Sequence, residues 1–169
     1  VAGVPAGNPT FTWVSGGNVA FTNASNGTLT LNMSIYKTND GTNARTLTVT
    51  ATGETILTGS YLQGPSAGAG NFVKSGPGVF TIQGTASTAT GTTQISQGTL
   101  SIPSVTSIPS GALLIGNATT TAGTLSYTGP TATLSNAITL NTTTANEFIN
   151  ANGSGALTIS GTITNALAG

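Results

Sequence analysis

The 169-residue chain contains no cysteine and no histidine. That excludes disulfide bonds, thiolate nucleophiles, Cys/His zinc centres and Ser-His-Asp triads together. Charge is scarce as well: Lys, Arg, Asp and Glu make up 4% of the residues, against about a quarter in an ordinary soluble domain, and the formal net charge is zero. The six charged residues are Lys37, Asp40, Arg45, Glu54, Lys74 and Glu147. Three scattered basic residues cannot neutralise a run of phosphates, so no nucleic-acid partner is expected, and attraction to anionic membranes is equally weak. No stretch approaches the roughly 18 apolar residues of a membrane span. Val1 opens without the basic and apolar regions of a signal peptide, so the chain is expected to be either processed or a piece of something longer.

Ser and Thr fill much of the space that charge leaves, joined by Asn and 24 glycines. Such a composition resembles a disordered linker, but the placement of apolar residues contradicts that. They alternate with polar ones in short runs such as Thr28-Leu29-Thr30-Leu31, Thr46-Leu47-Thr48-Val49 and Ala137-Ile138-Thr139-Leu140. Alternation with a period of two is the mark of half-buried strands, and no segment offers helical spacing. The expected class is all-β, in one domain spanning residues 1–169 that is long enough to bury a core.

One pattern recurs, a glycine followed by two large apolar residues at the second and fourth positions after it. It stands at Gly27, Gly78, Gly98, Gly111, Gly123 and Gly155. Glycine supplies backbone freedom for a corner, and the alternation sends both large side chains to one face. Corner, strand and corner again reads as a solenoid, with roughly seven or eight coils expected at about 20 to 25 residues each. Stacked coils place equivalent side chains about 4.8 Å apart, where like charges would repel and Thr, Ser and Asn can form ladders. A longer echo, "GETILTGSYL" from Gly53 against "GALTISGTIT" from Gly155, predicts parts of two copies of a larger module.

The segment "GNFVKSGPGVFTIQG" places Gly70, Phe72, Lys74, Gly76, Gly78, Phe80, Ile82 and Gly84 at alternate positions. "GTTQISQGTL" follows with Gly91, Gly98 and Leu100. Together they resemble the autotransporter-associated β-strand repeat, whose consensus runs G-x-L-x-K-x-G-x-G-x-L-x-L-x-G and ends in G-x-T-x-V-x-x-G-x-L. Phe72 and Phe80 replace the usual leucines. Between the two parts the family's usual Asn and aromatic residue are missing, with Ala86 and Thr88 near their places, so a remodelled loop is expected there. The best-matched region is 70–102. The resemblance implies a right-handed parallel β-helix from a large bacterial exported protein.

The candidate sites each carry a structural reading beside the functional one. Asp40, Glu54 and Glu147 lie far apart in sequence, and no pair of carboxylates suits a glycosidase, so neither an enzyme nor a cofactor or metal site is expected. Lys74 is expected to lay its stem along an apolar edge and cap carbonyls at a corner. Gly76, Gly78, Gly91 and Gly98 are expected at corners, some with positive φ. Phe11 and Trp13, near Phe21, form either a contact surface for polysaccharide or a host, or the cover of a first coil within residues 1–26. The expected function is an extracellular structural segment of a bacterial surface fibre, stalk or layer. Its expected partners are further copies stacked head to tail or neighbouring modules of a longer chain. An adhesin or passenger domain is the alternative, and a polysaccharide-active enzyme stands third.

Overall fold

The computed structural model describes residues 10–13, 17–38, 43–65, 68–117, 121–142 and 145–166. In chain order the strands begin with β1 (Thr10–Trp13), β2 (Val19–Asn23), β3 (Leu29–Leu31), β4 (Ser34–Lys37), β5 (Arg45–Ala51) and β6 (Thr55–Leu57). The middle of the chain adds β7 (Tyr61–Gln63), β8 (Gly70–Ser75), β9 (Val79–Ile82), β10 (Thr93–Ile95) and β11 (Gly98–Ile102), then a single 3₁₀ turn, η1 (Val105–Ser107). After it come β12 (Leu113–Ile115), β13 (Gly123–Tyr127), β14 (Ala132–Leu134), β15 (Ile138–Leu140), β16 (Phe148–Ala151), β17 (Leu157–Ile159) and β18 (Ile163–Asn165).

Every strand pairing among the described residues is parallel, and every one skips to the next turn of the chain. The first face stacks β2, β5, β8, β10, β12, β15 and β18, and the second stacks β3, β6, β9, β11, β13 and β16. This is a β-solenoid of about six turns, slightly fewer than seven or eight. The register gives the reason. Val19 lies beside Leu47 but Thr93 beside Leu113, so a turn takes between 20 and 28 residues, and the longer turns use chain in loops. Six steps of roughly 4.8 Å make the first face about 29 Å long.

Alternation decides what is inside. In β8 the inward set is Gly70, Phe72 and Lys74, and in β11 it is Leu100 and Ile102. Phe72, Phe80, Ile82, Leu100 and Ile102 are all buried, while Thr81 and Ser101 between them are only partly covered. Leu157 and Ile159 face the same core from the last turn, half-buried, with Thr158 exposed between them. The rings of Phe72 and Phe80 meet across the interior with centroids 5.5 Å apart.

The third face is interrupted. Strands β1, β4 and β7 build its first part and β14 with β17 its last, but two turns between them have no strand there. In the gap, side chains stand in for the ladder: Thr88 Oγ1 accepts from Gln63 N at 2.7 Å and donates to Gln63 O at 2.9 Å. This is the loop around Ala86 and Thr88, where the family's usual Asn and aromatic residue are missing. In the next turn Pro103 and Pro109 flank η1, and neither has an N–H to give a sheet.

The echo between Gly53 and Gly155 does not mark a repeated module. The first copy forms β6 on the second face and then β7, whereas the second forms β17 on the third face and then β18 on the first. Any strand-corner-strand unit satisfies the same pattern, whichever face it occupies.

Candidate functional site

The two successive turns that hold Gly70 to Ile102 are where the sequence placed most of its candidates, and the structure brings them together. Lys74 is fully buried, facing inward in the same column as Val49 of β5 and Ile95 of β10. An apolar edge was expected for its stem; the alternation of β8 instead carries the side chain into the core. Its Nζ donates to the carbonyls of Ser75 at 2.8 Å, Gly76 at 2.7 Å and Gln97 at 3.1 Å. An ammonium has three hydrogens, and three acceptors meet them. Ser75 and Gly76 belong to one turn and Gln97 to the next, so the amine clamps two successive corners. Burial pushes the Lys74 amine down to about 8, while its carbonyl acceptors favour the charged form.

The corner geometry follows from glycine. Gly76 and Gly98 adopt φ of 76° and 71°, in the left-handed region where a Cβ is disfavoured. Gly78 and Gly91 show no positive φ and are required by packing: a Cβ on Gly78 would collide with Gly53 O, and one on Gly91 with Asn71 Oδ1. Gly84 lies as closely over Gly59 and Ser60. Gly70 sits beneath Tyr61, whose hydroxyl donates to Asn71 O at 3.2 Å. Burial pushes the Tyr61 phenol up from its ordinary value.

Two structural residues escaped the sequence reading. Asn23 is buried, and its amide donates to Gly27 O at 2.9 Å and Glu54 O at 2.8 Å, tying the first two turns together at a corner. Lys37 is also buried, so two of the three basic residues lie inside. All four residues of β4 are buried, so no alternation in the sequence singles Lys37 out.

The remaining candidates are dispersed. Phe11 is 38% exposed and meets Phe21 edge-on, with ring centroids 5.6 Å apart. The backbone of Trp13 lies in β1, but its side chain falls outside the described residues, as does all of Asp40. Glu54 Oε2 accepts from Thr28 Oγ1 at 3.3 Å, and Glu147 Oε1 accepts from Thr142 Oγ1 at 2.6 Å. Glu54 precedes β6 and Glu147 precedes β16, with β9, β11 and β13 stacked between. Four strand spacings separate them by about 19 Å, beyond the roughly 5 to 9.5 Å of a glycosidase pair. Among the described residues, then, no carboxylate pair and no accessible amine come together, and the organised feature is the Lys74 clamp.

No curated protein and no solved structure matches the chain. Residues 72–102 match the family model described as passenger-associated-transport-repeat. Its limits run from Phe72 in β8 to Ile102 at the end of β11, one full turn of the solenoid and the first two strands of the next, and this segment is therefore identified as such a repeat, the kind that Gly70 to Leu100 resemble.

Proposed function

We propose that this chain is a non-catalytic β-solenoid segment of an exported bacterial surface protein, serving as part of an extracellular stalk, fibre or layer. The observation that carries the reading is the family repeat at residues 72–102, set within an unbroken parallel ladder of seven strands. Side chains on successive turns lie about 4.8 Å apart, and the near absence of charge suits that stacking. Labelling intact cells that make the full-length protein with an antibody to the solenoid tests the location. Surface labelling supports the reading, and signal found only after the cells are opened refutes it.

Self-association belongs to the same proposal. Ile163 is 54% exposed although Ile138 and Leu113, its neighbours in the column, are buried, and Ile149 and Ile159 of the same turn are half-buried. A further parallel turn laid on β18, β16 and β17, from another copy or from a neighbouring module of a longer chain, would cover them and take up the backbone groups of that edge. Contacts of this head-to-tail kind produce filaments unless their rotation closes a ring. Light scattering against concentration provides the test: a mass that grows with concentration supports stacking, and a monomer throughout removes it.

A further inference from the structure

We propose that the gap in the third face is a binding site for a neutral, polyhydroxylated ligand the size of one sugar ring. A groove of about 210 Å³ opens there, beside η1 and β14. Its apolar part is Val105 and Ile108, the latter buried in the core, and around them stand Ser110, Thr133, Ser135 and Asn136.

The polar groups of the groove are not used up by the protein. At the rim, Ser87 Oγ donates to Tyr61 O at 2.7 Å and Thr106 Oγ1 donates to Thr85 O, so those two protons are taken. Ser110, Thr133 and Ser135 are exposed, and their hydroxyls make no hydrogen bond to any described residue. Asn136 Nδ2 is held by Pro109 O at 3.2 Å and Gly111 O at 2.6 Å, which fixes the amide and leaves Oδ1 as an acceptor. The backbone adds two more groups. Ala132 N donates to Ala156 O and Leu134 O accepts from Ser160 N, so both residues turn to β17. Along a parallel strand the direction alternates, and the N–H and C=O of Thr133 point toward the η1 side, where no described residue takes them.

These features select the ligand. Among the described residues no charged side chain lines the groove, so neither an anion nor a metal ion finds a counter-charge there. The hydroxyls both donate and accept, as sugar hydroxyls do, Asn136 Oδ1 accepts, and Val105 with Ile108 can meet the C–H face of a ring. The volume lies below the roughly 300 Å³ where drug-sized pockets begin, which suits a single ring. Continuing the third-face ladder would satisfy these backbone groups; instead the chain turns away through Pro103, η1 and Pro109, as loops that carry binding residues do. The inference rests on this groove and not on export or on self-association.

Nuclear magnetic resonance titration of the ¹⁵N-labelled chain with free glucose, galactose and N-acetylglucosamine tests it. At least one sugar is expected to give saturable shifts confined to residues 105–110 and 132–136. Ser135→Arg, which fills the groove from an exposed position, should weaken that binding at least tenfold while circular dichroism stays unchanged. Thr133→Arg serves as the second block if Ser135→Arg fails to fold. Absence of saturable shifts with all three sugars overturns the proposal, as does equal binding by a folded variant. Binding of inorganic sulfate at these residues in place of the sugars overturns the neutral class.

Discussion

Replacing Lys74 by methionine removes the clamp while keeping an unbranched stem in the core. Three carbonyls, of Ser75, Gly76 and Gln97, lose their donor. Leaving each unpaired costs about 1–3 kcal/mol, roughly 6 kcal/mol together. Against this, the variant no longer buries an ammonium. A fall in the amine pKa from 10.5 to about 8 corresponds to about 3 kcal/mol of desolvation that the wild type carries at neutral pH. The expected net loss at pH 7 is therefore about 3 kcal/mol. The sharper expectation concerns pH. Below pH 8 Lys74 is protonated in both states; between pH 8 and 10.5 the unfolded chain keeps the proton that the folded chain has released. Stability then rises with pH, by at most about 1.4 kcal/mol per unit. Tyr61 works in the opposite direction above pH 10, because its raised pKa keeps the folded phenol protonated while the unfolded one ionises. The window to use is pH 7.5 to 9.5. Urea unfolding followed by circular dichroism should show the wild type gaining about 2 kcal/mol across it and Lys74→Met staying flat, so the gap between them widens. A constant or narrowing gap would refute the reasoning, for it would mean that the three carbonyls hold the amine charged despite its burial.

Other substitutions probe the core and the corners. Phe80→Ala empties a buried site that touches the Phe72 ring and should cost about 3–5 kcal/mol in chemical denaturation. Thr93 is buried in the column between Phe72 and Leu113, and its hydroxyl has no partner among the described residues. Thr93→Val should therefore stabilise the fold by about 1 kcal/mol, seen as a higher denaturation midpoint with an unchanged slope. Gly98→Ala forces a Cβ into the left-handed region and to within 2.5 Å of Gly76 O. A loss of at least about 2 kcal/mol is expected, and a neutral result would show that the corner can shift.

The sequence by itself determined the class of fold. A period of two, a glycine recurring before strands and six charges in 169 residues leave few alternatives to stacked parallel strands, because each is a local demand of the strand or the corner. The inward set of the best repeat was equally legible: Phe72, Phe80, Ile82, Leu100 and Ile102 alternate with polar residues and all are buried. Only the tertiary structure decided which face each strand joins. Gly-x-Leu-x-Ile serves the second face at Gly98, the first at Gly111 and the third at Gly155, since every face presents a strand with the same needs. For that reason the echo between Gly53 and Gly155 pointed to a module that does not exist. Lys74 shows the same limit in chemistry. Carbonyls at a corner were expected as its acceptors and Ser75 and Gly76 supply two, but the inward position replaces the expected apolar edge and the third acceptor comes from Gln97, 23 residues on and one turn away. The groove lies further still from any local signal, because Ser110 and Thr133 become neighbours only when one turn stacks on the next. Local pattern specifies strands and corners; the stacking of turns of unequal length specifies which side chains meet.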